Sequence, residues 1–263
     1  MFKQRLMTAL ILIPCVLWLL YSGCDWLFAG TLLVLLVAMG WEWLALIPLT
    51  SRCSQILWLM ILVLLLWPVY HALSFFLVLD LCLWFLVLWA VLSFPASQRW
   101  WGSRPVLTVV GVLCLTVLIS TLWTMLHRHQ VVHQIVYVLC LVWATDTGAY
   151  LVGKRWGVHR LIPSVSPGKT WEGALGGFLL AAVIIVLGLF FFQPLNRWCW
   201  IGASVGTIFM AMLGDLFVSL LKRRSKVKDT GHLLPGHGGV LDRLDSLLSA
   251  LPFFFFSCVF FGC

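Results

Sequence analysis

Charge is scarce in this chain. Only 10% of its 263 residues are Asp, Glu, Lys or Arg, against about a quarter in a soluble domain. That scarcity excludes a water-soluble globular protein and a disordered one, both of which need charge to stay hydrated. Paired cysteines are lacking too. The nine cysteines are scattered singly through apolar runs, with no C-x-x-C pair and no Cys/His cluster. That pattern argues against a disulfide-stapled secreted domain, a zinc site or a redox pair, and the cysteines read as small hydrophobes in helix packing. No repeat of fixed period and no low-complexity linker divides the sequence.

What is abundant is apolar. Hydrophobic residues make up 62% of the chain, and its mean hydropathy is +1.05. At ~1.5 Å per residue a helix needs ~20 residues to cross ~30 Å of hydrocarbon, which leaves room for roughly eight to ten spans. Nine apolar stretches can be marked: about Leu6–Leu20, Trp26–Leu49, Ile56–Tyr70, Leu73–Phe94, Val106–Leu126, Val131–Val152, Gly173–Phe192, Trp198–Leu221 and Leu244–Gly262. The third and fourth, closely spaced around Pro68 and His71, read as a helical hairpin, with a re-entrant element as the alternative. The first, preceded by Lys3 and Arg5, resembles a signal sequence. No A-x-A cleavage site follows it, so a retained first helix is expected. The expected fold is all-α: a polytopic integral membrane protein with about nine transmembrane helices.

Basic residues outnumber acidic ones, 17 to 9, for a net charge of +8. In a soluble protein that excess would raise nucleic acid as a partner. Here it first reports topology, and no nucleic-acid partner is expected. With nine spans, 15 of the 17 Lys and Arg fall on the side of the N-terminus, and only Arg128 and Arg197 on the other. Removing one span scrambles that split. Cytoplasmic loops carry the excess of Lys and Arg, which puts the N-terminus and the long basic loops in the cytoplasm. Residues 1–130 then read as a scaffold of helices offering lipid access and oligomer contacts, and residues 131–263 as a catalytic transmembrane region. Residues 141–246 alone hold six of the nine acids and both long basic loops.

Acids inside spans are costly and by default mark a polar, functional interior. Asp146 precedes Lys154 by eight residues and Asp215 precedes Lys222 by seven. Both carboxylates therefore lie ~10–12 Å inward from the cytoplasmic ends of their helices. Asp242 and Asp245, three apart at the start of the last helix, share a face, as do Asp215, Ser219 and Lys222. Four carboxylates from three helices converge beneath a basic loop. Unpaired they would repel one another; a divalent cation removes the conflict, and all-oxygen ligation favours Mg²⁺ over zinc. The competing reading pairs these acids with neighbouring Lys and Arg as buried ion pairs. Glu42, between Trp41 and Trp43, and Asp80, toward the non-cytoplasmic side, fit a packing or interhelical hydrogen-bonding role instead.

Five basic residues fall between Lys222 and Lys228 and attract polyanions, whether lipid headgroups or nucleotide phosphates. Pro235-Gly236-His237-Gly238-Gly239 follows them. Glycines free to adopt φ > 0 let successive N–H groups form an anion-binding concavity. His237 alone would be a capping or loop histidine. In the second loop, Ser164 to Gly173, Pro167, Lys169 and Thr170 lead into a helix start. Glu172 stands in its first turn, where the helix dipole favours an acid.

From Ser219 to Asp245 the chain reads SLLKRRSKVKDTGHLLPGHGGVLDRLD. Every fixed position of S-x-x-K-R-x4-K-D-x-G-x2-L-P-x-H-G-G-x-x-D-R-x-D is matched, and the run closely resembles the signature of the CDP-diacylglycerol synthases, or phosphatidate cytidylyltransferases. Asp146-Thr147-Gly148-Ala149-Tyr150 with Gly153 and Lys154 is similar to one upstream motif of that family. Ser166-Pro167-Gly168-Lys169-Thr170 before Glu172-Gly173 is similar to another, with Gly168 where many members carry a second lysine. The resemblance covers about residues 140–250. It implies an enzyme that makes CDP-diacylglycerol and pyrophosphate from CTP and phosphatidic acid, using one or two Mg²⁺ ions. It further implies a homodimer in the inner membrane with its site facing the cytoplasm. By the same resemblance Asp215, Asp242 and Asp245 would be metal ligands, and Ser219, Lys222 and Arg243 would hold phosphates. Lys228, His237, Gly238 and Gly239 would complete a CTP cradle, with Asp146, Lys169, Thr170 and Glu172 placing metal or substrate. Two rival readings are another CTP-dependent lipid transferase, such as a CDP-archaeol-type synthase, and an ion-coupled transporter. The transporter's usual inverted repeats and midplane site have no counterpart in this sequence.

Overall fold

In lipid, a backbone must satisfy its own hydrogen bonds, and runs of Leu, Val, Trp and Phe can do so only as helices. A computed structural model describes residues 14–47, 51–127, 132–231, 233 and 238–262, and it is overwhelmingly helical. The long helices are α1 (Asp25–Leu46), α2 (Arg52–His71), α3 (Leu73–Leu92), α4 (Arg104–His127), α5 (Val132–Trp156), α6 (Trp171–Phe192) and α7 (Arg197–Ser225), followed by α8 (Leu247–Phe261). The apolar pattern is inverted relative to a water-soluble protein. Leu64, Trp67, Phe85 and Phe190 point outward, as a hydrocarbon solvent permits, while Trp43, Trp84, Trp200 and Phe254 fill the centre.

Among the described residues seven helices, α1 to α7, are long and apolar enough to cross a membrane, against the nine stretches expected. Residues 14–20 of the first stretch are helical. The rest of it, with Lys3 and Arg5, lies outside the described residues, as does Arg128, so the sidedness of the N-terminus does too. The expected hairpin resolves into α2 and α3, joined through Ala72 alone, with Pro68 inside α2. Both are long enough to span. The last stretch divides into a one-turn helix, Leu241–Leu244, and the 15-residue α8. Asp245 and Ser246 between them keep helical dihedrals. The break is local: Asp245 Oδ1 accepts the Ser246 N–H at 2.7 Å, a short acidic side chain competing with the helical ladder.

Two close approaches set the shape of the site end. A side chain at Gly148 of α5 would collide with the backbone of Gly176 and Gly177 in α6, so only small residues let these helices pack this tightly. Likewise Gly214 of α7 lies against the Asp245 carbonyl and the Ser249 hydroxyl. Ser249 Oγ donates to the Met210 carbonyl at 2.5 Å, tying α8 to α7. Between α5 and α6, where a loop was expected, the chain forms an antiparallel hairpin of β1 (Arg160–Ile162) and β2 (Ser166–Thr170). It runs straight into α6, whose N-cap is Thr170, with Oγ1 accepting the Gly173 N–H at 3.1 Å.

Candidate active site at one end of the bundle

The 29 residues of α7 extend roughly 43 Å at ~1.5 Å each, longer than ~30 Å of hydrocarbon. Its last turns, rich in Lys and Arg, are the end that suits a membrane boundary. Three other segments meet it there. Arg223 Nε donates to the Val165 carbonyl of the hairpin at 3.2 Å. Arg224 Nε donates to Gly102, in the connection before α4, at 2.7 Å, and Arg224 Nη1 donates to Leu46, at the end of α1, at 3.0 Å. Arg99 over Trp100, Lys154 over Tyr150 and Arg155 over Trp156 pair a cation with an aromatic ring at 5.1 to 5.4 Å. Such amphipathic side chains sit at headgroup level.

One face of α7 carries Asp215, Ser219 and Lys222, as the spacing predicts, and Ser219 Oγ lies 3.4 Å from Asp215 Oδ1. Each charge on this face meets a partner from another segment. Lys169 of β2 reaches Asp215 Oδ2 at 2.5 Å, and Lys222 reaches Asp242 Oδ1 at 2.7 Å. Asp245, half-buried at the foot of α8, feels the carboxylates of Asp215 and Asp146 as like charges, with Lys222 the nearby cation. Asp146 is solvent-accessible on α5. The convergence of acids and bases at one end is thus present in the structure.

Asp242 is engaged differently from the other acids. Its Oδ2 accepts the Thr230 N–H (2.8 Å), the Thr230 hydroxyl (2.9 Å) and the Gly239 N–H (3.1 Å). Burial works against its charge. The Lys222 ammonium and the loop N–H groups outweigh that cost and hold the carboxyl below the usual carboxylate range. Gly238, at φ +82°, supplies the left-handed turn that brings the Gly239 N–H onto Asp242. Asp242 therefore fastens the loop, with its Oδ1 on Lys222. Glu172 has a similar part in the hairpin, accepting the backbone N–H groups of Val158 (3.1 Å) and His159 (3.2 Å) and the His159 ring nitrogen (2.6 Å). Lys228 and Arg243 are exposed at the same end. His237 lies outside the described residues.

Among the described residues no three His, Cys, Asp or Glu side chains are close enough to share one metal ion. The acids here nevertheless form an all-oxygen donor set. Mg²⁺ commonly takes only one or two protein carboxylates, leaving the rest of its shell to substrate phosphates and water. The donor chemistry fits that mode of binding and not a closed protein cage.

Sequence reasoning passed over one participant. Glu42 is 2% exposed, and its carboxylate accepts the Val240 N–H (2.8 Å), the Leu241 N–H (2.7 Å) and a contact from the Thr230 hydroxyl (3.2 Å). The only signal in the sequence was an acid without a basic neighbour inside a Trp-flanked helix.

Fold and site together define a polytopic, all-α membrane protein that gathers basic and acidic side chains at one end of its helix bundle. The chain belongs to the cytidylyltransferase family, whose model matches residues 3–261. It is similar to the phosphatidate cytidylyltransferase of Haemophilus influenzae, 34% identical over 282 residues that cover 97% of each chain. The phosphatidate cytidylyltransferase of Pseudomonas aeruginosa is 37% identical over 264 residues, 97% of this chain and 96% of that one. The enzyme of that name from Staphylococcus aureus strain COL is 46% identical over 127 residues, 48% of each chain.

Proposed function

We propose that this chain condenses CTP with phosphatidic acid to give CDP-diacylglycerol and pyrophosphate, at the cytoplasmic face of the inner membrane. The observation that carries this reading is the meeting of Lys169, Lys222, Asp215, Asp242 and Asp245 at one boundary end of the bundle. Both substrates are anions, one from water and one from lipid, so a shared site must lie at that boundary. The excess of Lys and Arg there supports a cytoplasmic orientation.

An oxygen of the phosphatidate phosphate attacks the α-phosphorus of CTP in line. One P–O bond forms, and the bond to the β-phosphate bridging oxygen breaks, releasing pyrophosphate. The attacking oxygen is already ionised at neutral pH, so no general base is needed, and catalysis reduces to positioning and charge neutralisation. Lys169 and Lys222 supply that neutralisation. Each is held ready by a carboxylate and turns to phosphate oxygens when they arrive. Ser219 donates its hydroxyl from the same face of α7, and the loop at Gly238 lines the phosphate cradle with Lys228 and Arg243; on the family resemblance His237 and Gly239 belong to the same cradle, Gly239 through its contact with Asp242. Asp215 and Asp245 would hold Mg²⁺, which when bound shields the phosphate charge and steadies the leaving pyrophosphate. Asp242, expected as a third ligand, acts in this reading through Lys222 and the loop. Asp146 stands beside the pair, Glu172 fixes the hairpin that carries Lys169, and Thr170 caps the helix behind it. A second copy of the chain is proposed as partner on the family resemblance.

Purified protein given radiolabelled CTP, phosphatidic acid and Mg²⁺ should yield labelled CDP-diacylglycerol with one pyrophosphate per turnover. Turnover of a different lipid acceptor, with none of phosphatidate, would overturn the substrate assignment.

A further inference from the structure

The signature loop leaves α7 at Ser225 and re-enters the bundle at Leu241, and both of its ends rest on α1. At the first end, the Leu46 carbonyl accepts Arg224 Nη1 (3.0 Å) and the Ser225 hydroxyl (3.1 Å). Carbonyls in the last turn of a helix lack intrahelical donors, so these contacts also finish α1. One turn earlier on the same face, Glu42 takes the Val240 and Leu241 N–H groups, the entry of the one-turn helix Leu241–Leu244. These are N–H groups without intrahelical acceptors, and a carboxylate satisfies them with charge-assisted bonds.

Glu42 also joins the network that holds Lys222. The single hydroxyl proton of Thr230 lies between Asp242 Oδ2 (2.9 Å) and Glu42 Oε2 (3.2 Å), and Asp242 Oδ1 holds the Lys222 ammonium at 2.7 Å. The glycines of the loop fit around this carboxylate. A methyl group at Gly231 would strike the Glu42 carboxylate, and one at Gly239 would strike both that carboxylate and the Thr230 hydroxyl. Two glycines of the signature are thus small because an acid nearly 200 residues away in sequence occupies the space beside them.

We infer that Glu42 is a positioning residue for the reaction: from α1 it sets the geometry of Thr230, Val240 and Leu241 and, through Thr230 and Asp242, of Lys222. It touches no substrate. The inference rests on the reading of this loop as the CTP cradle, and its consequences are specific to that substrate. Replacing the carboxylate by an amide keeps the shape but turns one oxygen into a donor. Oε1 and Oε2 both face N–H groups, so no orientation of a glutamine satisfies Val240 and Leu241 together.

The test is Glu42→Gln in the full-length enzyme in detergent or vesicles, with CTP and phosphatidate varied separately. A roughly 10- to 100-fold loss in kcat/KM for CTP, from one or two charge-assisted bonds, is expected, with the KM for phosphatidate unchanged. Glu42→Asp should recover part of it. A merely structural role would lower the folded fraction and scale kcat while leaving both KM values alone. That outcome, or unchanged kinetics, overturns the inference. Hydrogen exchange of the Val240 and Leu241 amides needs no turnover and separates this inference from the substrate assignment. Faster exchange in Glu42→Gln is expected, and unchanged exchange contradicts it even if the enzyme uses another lipid. If Glu42→Gln does not fold, Thr230→Val, which removes only the shared hydroxyl, should show a smaller shift in CTP KM. Its absence would equally count against the inference.

Discussion

Glu42 and Asp80 are equally buried acids on helices of the N-terminal half, each 2% exposed, yet they belong to different regions of the molecule. Glu42 lies at the boundary end, where its oxygens meet two backbone N–H groups and a hydroxyl from the signature loop. Asp80 lies in the interior, where Oδ2 accepts the Trp84 indole N–H at 2.9 Å and, among the described residues, Oδ1 has no hydrogen-bond partner. At the boundary end Lys169, Lys222, the loop and the hairpin share out Asp215, Asp242 and Glu172, whereas among the described residues Asp80 pairs within its own helix. Burial alone does not mark function. What separates the two acids is whether their partners come from the segments proposed to bind the phosphates.

The difference can be pressed by substitution, beginning where the largest effect is expected. Lys222→Ala and Asp245→Asn should each cut turnover by roughly 100- to 1,000-fold, the scale of losing a preorganised electrostatic contact, while the extracted protein stays monodisperse. Retained activity in both would dissolve the special standing of the boundary end. Gly239→Ala should follow, with a loss of about 10-fold or more in kcat/KM for CTP, because its methyl group pushes against Glu42 and Thr230. Steady-state kinetics in vesicles would measure it.

Acid should act on the same end more gently. The Asp242 carboxyl is held below its ordinary range in the folded loop, so its contribution to loop stability is complete above that range. It is lost as pH falls through the lower folded value. Amide exchange at Thr230 and Gly239, corrected for its intrinsic pH dependence, should lose protection only on the acid side of the ordinary carboxylate range. The smallest effect is expected at the other member of the comparison. Asp80→Asn keeps an acceptor for Trp84 and should leave kcat/KM within about twofold of the parent, as for a substitution away from the site. A dead enzyme would show that the interior acid matters to catalysis after all.

Much of this was legible in the sequence, and the reasons differ by element. Helices α1 to α7 follow from apolar runs long enough to cross a bilayer, because lipid leaves the backbone no alternative. The shared face of Asp215, Ser219 and Lys222 follows from helical spacing and is found as such. The β1–β2 hairpin was not legible. Its strands are only three and five residues long, and Glu172, read as a first-turn acid for the helix dipole, spends its hydrogen bonds on the approach to the hairpin. Nor was the engagement of Asp242. Spacing put it on a face with Asp245, but Thr230 and Gly239 reach it through a loop whose path no periodicity encodes. Glu42 was hardest to read, since its partners stand 188 to 199 positions away and pairing of that kind exists only once the chain is folded.

A structure determined with CTP and Mg²⁺ bound would show whether this end of the bundle receives the CTP phosphates. The phosphates should lie between Lys169, Lys222 and the loop at Gly238. Asp215 and Asp245 should face the cation, and Glu42 should still hold Val240 and Leu241. Nucleotide bound elsewhere, with the Lys169–Asp215 and Lys222–Asp242 pairs undisturbed, would contradict a CTP site at this end.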